Sequence, residues 1–118
     1  PGGHLEVNEI PDEAVLRELK EETGIDGKII SQNPVDLKDC HDAQLATPYC
    51  VLMMKIKGSS KSEAHSHLDL VYLIEADSDE LLSSEDNSEA KWFTKNEIED
   101  IDTFKSLKQI ARKVLDGK

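Results

Sequence analysis

Three carboxylates and one guanidinium lie within six residues of one another. They are Arg17, Glu18, Glu21 and Glu22, in the stretch AVLRELKEETGI. In a helix, residues three and four apart are neighbours on one face, so Glu18, Glu21 and Glu22 crowd onto a single patch. Like charges at that spacing destabilise an isolated helix. A chain tolerates them when the patch is fully solvated or when a cation sits on it. Oxygen donors alone, at this density, suit a hard ion such as Mg²⁺ or Mn²⁺. Arg17 and Glu21 are four apart and can pair, which would hold that carboxylate in place.

The residues around the patch supply a helix and its ends. Gly2 and Gly3 permit a turn and a close approach of the main chain to a ligand. Pro11 suits the first helical turn, where its missing N–H is not needed. Asp12 and Glu13 complement the positive helix start. Val15, Leu16 and Leu19 form an apolar stripe beside the acidic patch, so one side can face a core and the other a cleft. Gly24 stops the helix. Ile10 stands where a Ser or Thr would cap the start better.

The spacing carries further information. Gly3, five residues, Glu9, seven residues, Arg17-Glu18-Leu19, one residue, Glu21-Glu22, one residue, Gly24-Ile25 resembles the Nudix box, GX5EX7REUXEEXGU with U aliphatic, at every defined position. The resemblance implies hydrolysis of a nucleoside diphosphate linked to a moiety X. A water attacks one phosphorus of the pyrophosphate, with divalent ions lowering the water's pKa and neutralising charge on the phosphate oxygens. It implies Glu18, Glu21 and Glu22 as ligands of Mg²⁺ (or Mn²⁺), with the carbonyl of Gly2 a further candidate. Glu18 matches a position often proposed as general base, Glu21 joins it as a candidate catalytic acid, and Arg17 orients them. Gly3, Glu9 and Gly24 support the motif. A second acid between Glu85 and Glu89 is a candidate base, metal ligand or substrate contact.

The 118 residues suffice for one domain, 1–118, with the box at 3–25. The motif begins at the first residues, whereas the family's box normally follows strands. The expectation is a chain lacking its N-terminal strands, on the order of a few tens of residues at typical strand and loop lengths. No apolar run is long enough to span a membrane as a helix. The formal net charge is −11, from 25 acidic and 14 basic residues. That balance argues against a nucleic-acid partner, which needs a basic footprint, and it would also repel the phosphates of a small-molecule nucleotide substrate unless divalent cations neutralise both. Cys40 and Cys50 lack zinc-ligand spacing and read as thiols in a reducing cytoplasm.

Along the rest of the chain, Gly27 to Ile30 starts a strand. Ser31 to Asp42 is a polar loop. Tyr49 to Lys57 reads as a central strand, with Met53 and Met54 as core filler. Leu68 to Glu75 and Ala90 to Phe93 read as strands, with Trp92 in the core. Thr94-Lys95-Asn96-Glu97 is a capping box. Asp102 or Thr103 caps a last helix that buries Phe104, Leu107, Ile110, Ala111 and Val114 and ends before Gly117. The pattern is α/β (α+β). The resemblance sharpens it to an α/β/α sandwich with a mixed, curved sheet. Segments 65–72 and 89–94 also resemble the family, more loosely than the box.

His65 and His67 form an HxH. On a strand they share a face at a spacing that can chelate a metal, but they read first as solvent-facing imidazoles at a strand entry, or as a contact to substrate phosphate or base. The leading functional expectation is a metal-dependent pyrophosphohydrolase on a nucleoside triphosphate (oxidised ones included), nucleotide sugar or dinucleotide. A non-catalytic nucleotide sensor and an RNA 5′-end pyrophosphohydrolase are the alternatives. Many members of the family pair, which leaves a homodimer open.

Overall fold

The computed structural model describes residues 1–31, 35, 37–39, 44–81 and 90–117. The chain divides into two units, Pro1–Ser88 and Glu89–Lys118.

In the first unit, the loop at residues 1–10 enters helix α1, Pro11–Thr23. Ile10 is the N-cap and makes no side-chain cap bond, as its apolar side chain dictates. Asp12 and Glu13 occupy the first turn. The helix ends at Gly24, whose φ of 77° is left-handed and whose N–H donates to the Lys20 carbonyl at 2.8 Å. Ala14, Thr23 and Ile25 are buried. Val15, Leu16 and Leu19 are half-buried, forming the covered side of the helix.

The strands are β1 (Gly27–Ile30), β2 (Cys50–Ile56), β3 (His65–Val71) and β4 (Leu73–Ala76). β1 pairs antiparallel with β4, and β2 antiparallel with β3. The fold is α+β, as expected. Among the described residues every strand pair is antiparallel, so the parallel pairing that a mixed sheet requires does not occur there. The single strand expected over Leu68 to Glu75 is two. The chain leaves one ladder after Val71, passes Tyr72 and enters the other at Leu73.

β2 alternates strictly between half-buried and exposed residues. Cys50, Leu52, Met54 and Ile56 share the covered face. The opposite face pairs Val51 with Leu70 and Met53 with Leu68. Met53 is 65% exposed, so of the two methionines expected as core filler only Met54 is on the covered side. Adjacent residues of a strand point to opposite faces, so both could not be buried in a ladder covered on one side.

In the second unit, α2 (Lys95–Asp100) starts with the expected capping box. Thr94 Oγ1 accepts from the Glu97 N–H at 3.3 Å, and Glu97 Oε1 accepts from the Thr94 N–H at 2.9 Å. The Thr94 N–H first, and the Thr94 hydroxyl second, hold the Glu97 carboxyl below its ordinary value. Helix α3 is Lys105–Asp116, followed by Gly117. Its N-cap is Phe104, not Asp102 or Thr103, and it has no side-chain cap. Phe104 is 65% exposed and Leu107 47% exposed, against the expected buried face; Ile110, Ala111 and Val114 are half-buried. Within this unit the six residues of α2 are too short to cover the twelve of α3. Glu99 ties the two helices, accepting Arg112 Nη2 at 2.6 Å while its carbonyl accepts Lys108 Nζ at 2.9 Å. Ala90 to Phe93 forms no strand, and Trp92 is 54% exposed rather than in a core. No helix among the described residues is long and apolar enough to cross a membrane.

Gly24 marks a position only glycine fills without strain. Gly24→Ala puts a Cβ into left-handed backbone at a cost of roughly 1–2 kcal/mol. The expected result is an earlier urea-unfolding midpoint with an unchanged slope.

Candidate active site

The site is built on the guanidinium of Arg17, which projects from α1 toward the loop at residues 1–10. Glu9 receives it on both carboxylate oxygens, with Arg17 Nε at 2.7 Å from Oε2 and Nη2 at 3.0 Å from Oε1. This planar, two-point geometry is the strongest form of carboxylate recognition that arginine makes. Glu9 Oε1 also accepts the Glu6 N–H at 3.0 Å, and the Glu9 N–H donates to the Glu6 carbonyl at 3.1 Å. The turn that makes this possible contains Asn8 at φ 63°, a left-handed conformation that Asn tolerates better than most side chains. Glu9 thus joins the loop to the helix. Its carboxyl is held below the ordinary value, first by the Arg17 hydrogen bonds and then by the Glu6 N–H. The same pairing raises the pKa of Arg17 further, so the guanidinium is a fixed cation.

The other edge of Arg17 faces the helix's own acids. Nη1 donates to Glu18 Oε1 at 2.9 Å and to Glu21 Oε2 at 3.1 Å. Nη2 also donates to the His4 carbonyl at 3.2 Å. The expected Arg17–Glu21 pair is therefore present, but Glu9 is the principal partner. A side chain eight residues away cannot be found from helical spacing; only the loop geometry brings it there.

Glu18 and Glu22 lie one turn apart on α1. Glu22 Oε2 accepts the Gly2 N–H at 3.1 Å. This bond places the Gly2 main chain, whose carbonyl is the further metal-ligand candidate, beside the acid patch. The Glu18 carboxylate lies against Gly3, where a Cβ would sit 2.3 Å from Oε1 and 2.8 Å from Oε2. Gly3 is thus a matter of space: any side chain would displace that carboxylate. Glu18 is 16% exposed and Glu21 57%.

One oxygen of Glu18 and one of Glu22 have no hydrogen bond among the described residues. Among the described residues, no group of three His, Cys, Asp or Glu side chains is gathered to enclose a metal there. The donor chemistry fits a hard divalent ion held by one or two carboxylates, with water and phosphate oxygens completing the shell, which is the usual habit of Mg²⁺. The structure therefore brings Gly2, Gly3, Glu9, Arg17, Glu18, Glu21 and Glu22 together, with Gly24 ending their helix. His65 and His67 come together with each other and with His4, as a separate cluster. Glu85, Glu89 and Cys40 lie outside the described residues.

The profile of the NUDIX domain matches residues 1–116. This chain belongs to the Nudix family. The Nudix domain match spans both units. A crystal structure of a NUDIX-family hydrolase from Clostridium perfringens is similar with a TM-score of 0.74 and 30% identity, over 97% of this chain and 77% of that one. An ADP-ribose pyrophosphatase of Saccharomyces cerevisiae is 54% identical over 39 residues, which is 33% of this chain and 17% of that protein. An 8-oxo-dGTP diphosphatase of Proteus vulgaris is 69% identical over 26 residues, 22% of this chain and 23% of that protein. The matched stretches span about a fifth of the length of these two curated relatives.

Sequence reasoning assigned Glu9 only a supporting place in the Nudix box and gave His4 none. Asp12 also does more than complement the helix start. Its Oδ2 accepts the Ala46 N–H at 2.8 Å, tying a distant loop segment to α1, while Oδ1 is buried without a partner among the described residues.

Because Glu9 titrates below its ordinary value of 4.5 in the fold, the unfolded chain takes up its proton first on acidification. Its contribution is complete above the ordinary value and is lost as pH falls through the folded one. Glu9→Gln is expected to reduce stability at pH 7 and to flatten the acid limb of a stability-versus-pH curve below about pH 4.5, read by urea unfolding at a series of pH values.

Proposed function

We propose that this Nudix domain is a divalent-metal-dependent pyrophosphohydrolase that cleaves the diphosphate bond of a nucleoside diphosphate linked to a moiety X. The substrate class is a nucleoside triphosphate, an oxidised one included, or a nucleoside-diphosphate conjugate such as a nucleotide sugar or dinucleotide. The observation that carries the reading is the anchored acid array: Arg17 holds Glu9, Glu18 and Glu21 at once, while among the described residues Glu18 and Glu22 each keep an oxygen without a hydrogen bond. The names of the relatives, a pyrophosphatase and a diphosphatase, are consistent with it. The net charge of −11 favours a small nucleotide over a nucleic acid.

In this reading Glu18 and Glu22 hold Mg²⁺ or Mn²⁺, with Glu21 and the main chain at Gly2 as further candidates. When bound, the cation supplies charge neutralisation on the phosphate oxygens and lowers the pKa of the attacking water. Arg17 is a positioning residue. Its hydrogen-bonding edges are taken up by the carboxylates and the His4 carbonyl, so it fixes the angle of the acids rather than binding phosphate. Glu18 and Glu21 share Arg17 Nη1, and one of them accepts the proton that the water loses as its oxygen bonds phosphorus. The other phosphoryl group leaves with the bridging oxygen.

The test is product release from a panel of nucleoside triphosphates and nucleoside-diphosphate conjugates, with Mg²⁺, Mn²⁺ or EDTA. Turnover is expected with metal and not with EDTA. Glu18→Gln and Glu22→Gln are expected to lower kcat by roughly 10²-fold or more, the order lost when one preorganised charge-stabilising group is removed. Saturable nucleotide binding without turnover of any substrate would replace this reading with a sensor.

Gly3→Ala separates positioning from folding. The atoms its Cβ would meet are the far end of the flexible Glu18 side chain, so the chain should fold normally. Displacing that carboxylate is expected to lower kcat by about 10²-fold, the scale of a 1 Å misplacement, with an unchanged urea midpoint.

A further inference from the structure

The HxH pair lies outside the carboxylate array and has its own geometry. β3 begins at His65, so the side chains of His65 and His67 fall on one face of the strand. Their ring centroids are 4.8 Å apart and their Nε2 atoms 3.0 Å apart. His65 Nδ1 is 2.9 Å from the Glu63 carbonyl oxygen. A carbonyl can only accept, so Nδ1 carries the proton there and Nε2 of the neutral ring is the lone-pair nitrogen, which accepts from His67 Nε2–H; a cation that takes both Nε2 atoms displaces that one proton. A far N–H held by a carbonyl fixes a histidine's tautomer and aims its other nitrogen; ligating histidines are almost always held this way.

We propose that His65 and His67 form a two-histidine chelate for a borderline transition-metal cation, Zn²⁺, Ni²⁺ or Cu²⁺, with water completing its shell. The distance supports it. Two nitrogens at the usual Zn–N length of about 2.0–2.1 Å in a tetrahedral shell are roughly 3.3 Å apart. The observed 3.0 Å needs only a few tenths of an ångström of ring movement. The donor type supports it too. Imidazole nitrogen selects the later first-row metals, whereas the oxygens of Glu18 and Glu22 suit Mg²⁺. The protein would therefore sort two classes of cation to two places by donor chemistry alone. No third His, Cys, Asp or Glu closes the site among the described residues, so the ion is held openly and exchanges with solvent.

The position gives the site a route to the acid array. The ring of His4 lies edge-on to that of His67, with centroids 5.7 Å apart and planes at 88°. The carbonyl of the same His4 accepts from Arg17 Nη2 at 3.2 Å. A cation that fixes the His67 ring fixes the surface against which His4 rests, on the loop that carries Gly2 and Gly3. The proposal stands apart from the hydrolytic reading and holds whatever the substrate is.

The experiment is a calorimetric titration of the full chain with Ni²⁺ alone, against a background of saturating Mg²⁺ that occupies oxygen donors. One equivalent is expected to bind. His65→Gln and His67→Gln are each expected to weaken binding at least about tenfold, the lower end of what losing even an outer-shell partner costs. Both positions are partly or fully exposed, and melting curves check that the variants fold. Should one not fold, the imidazole resonances of the unaltered chain report instead: Zn²⁺ alone must shift those of His65 and His67. Failure of the unaltered chain to bind Ni²⁺, binding by both variants as tight as by the unaltered chain, or unmoved His65 and His67 resonances would each overturn the proposal.

Discussion

Arg17 donates five hydrogen bonds, two to Glu9 and one each to Glu18, Glu21 and the His4 carbonyl. Its guanidinium offers five N–H donors in a rigid plane, so one side chain can hold four separate groups at fixed angles. The surrounding architecture is shaped by that demand. The loop before α1 must turn at Asn8 so that Glu9 meets the guanidinium edge-on. The helix must run unbroken to Gly24 so that Glu18, Glu21 and Glu22 share the same side of it. Gly3 must lack a side chain so that the Glu18 carboxylate can lie against the loop. Lysine would supply one charge but no plane, and could satisfy only some of these partners at once.

This dependence also explains what was legible in the sequence. The acid patch is local, because spacings of three and four on a helix determine which carboxylates meet. The ends of α1 were equally plain, with Pro11 at the start and Gly24 at the stop. The Glu9–Arg17 pair was not, since eight residues on a helix would place the two on distant turns. It exists because Glu9 is not on the helix, and that follows from a turn whose conformation no residue spacing dictates. The role of His4 was hidden for the same reason: it acts through its main chain.

Elsewhere the alternation of residue types was a good guide to strands and a poor one to coverage. The apolar run in β2 was correctly read as extended, and its ladder with β3 follows. Whether both faces of such a run are covered is a property of its neighbours, not of its letters. Hence Met53 and Leu68, opposite each other in the register, are exposed while Met54 beside them is half-buried. The run from Leu68 to Glu75 carries no Gly or Pro to mark a break, yet Tyr72 separates two ladders. A break without a breaker residue comes from pairing choice, with β1 taking Leu73–Ala76 and β2 taking His65–Val71. At Phe104 the missing signal is reversed: two good capping residues precede the helix and neither is used.

Charge balance connects the site to the chemistry proposed for it. Four glutamates, Glu6, Glu9, Glu18 and Glu21, surround one guanidinium, and Arg17 directs its donors to carboxylates and the His4 carbonyl rather than to open space. The patch is therefore strongly acidic even with its arginine counted, in a chain whose net charge is already −11. A pyrophosphate approaching it meets repulsion at short range and at long range. Salt weakens the long-range part beyond about 10 Å at about 0.1 M ionic strength but not the contact itself. An arginine committed elsewhere cannot offset that contact; in the reading proposed here, a cation between carboxylate and phosphate does. The same arginine that makes the patch rigid thus leaves it dependent on a divalent ion, which is the sense in which positioning and metal dependence, in the reading proposed here, are one property.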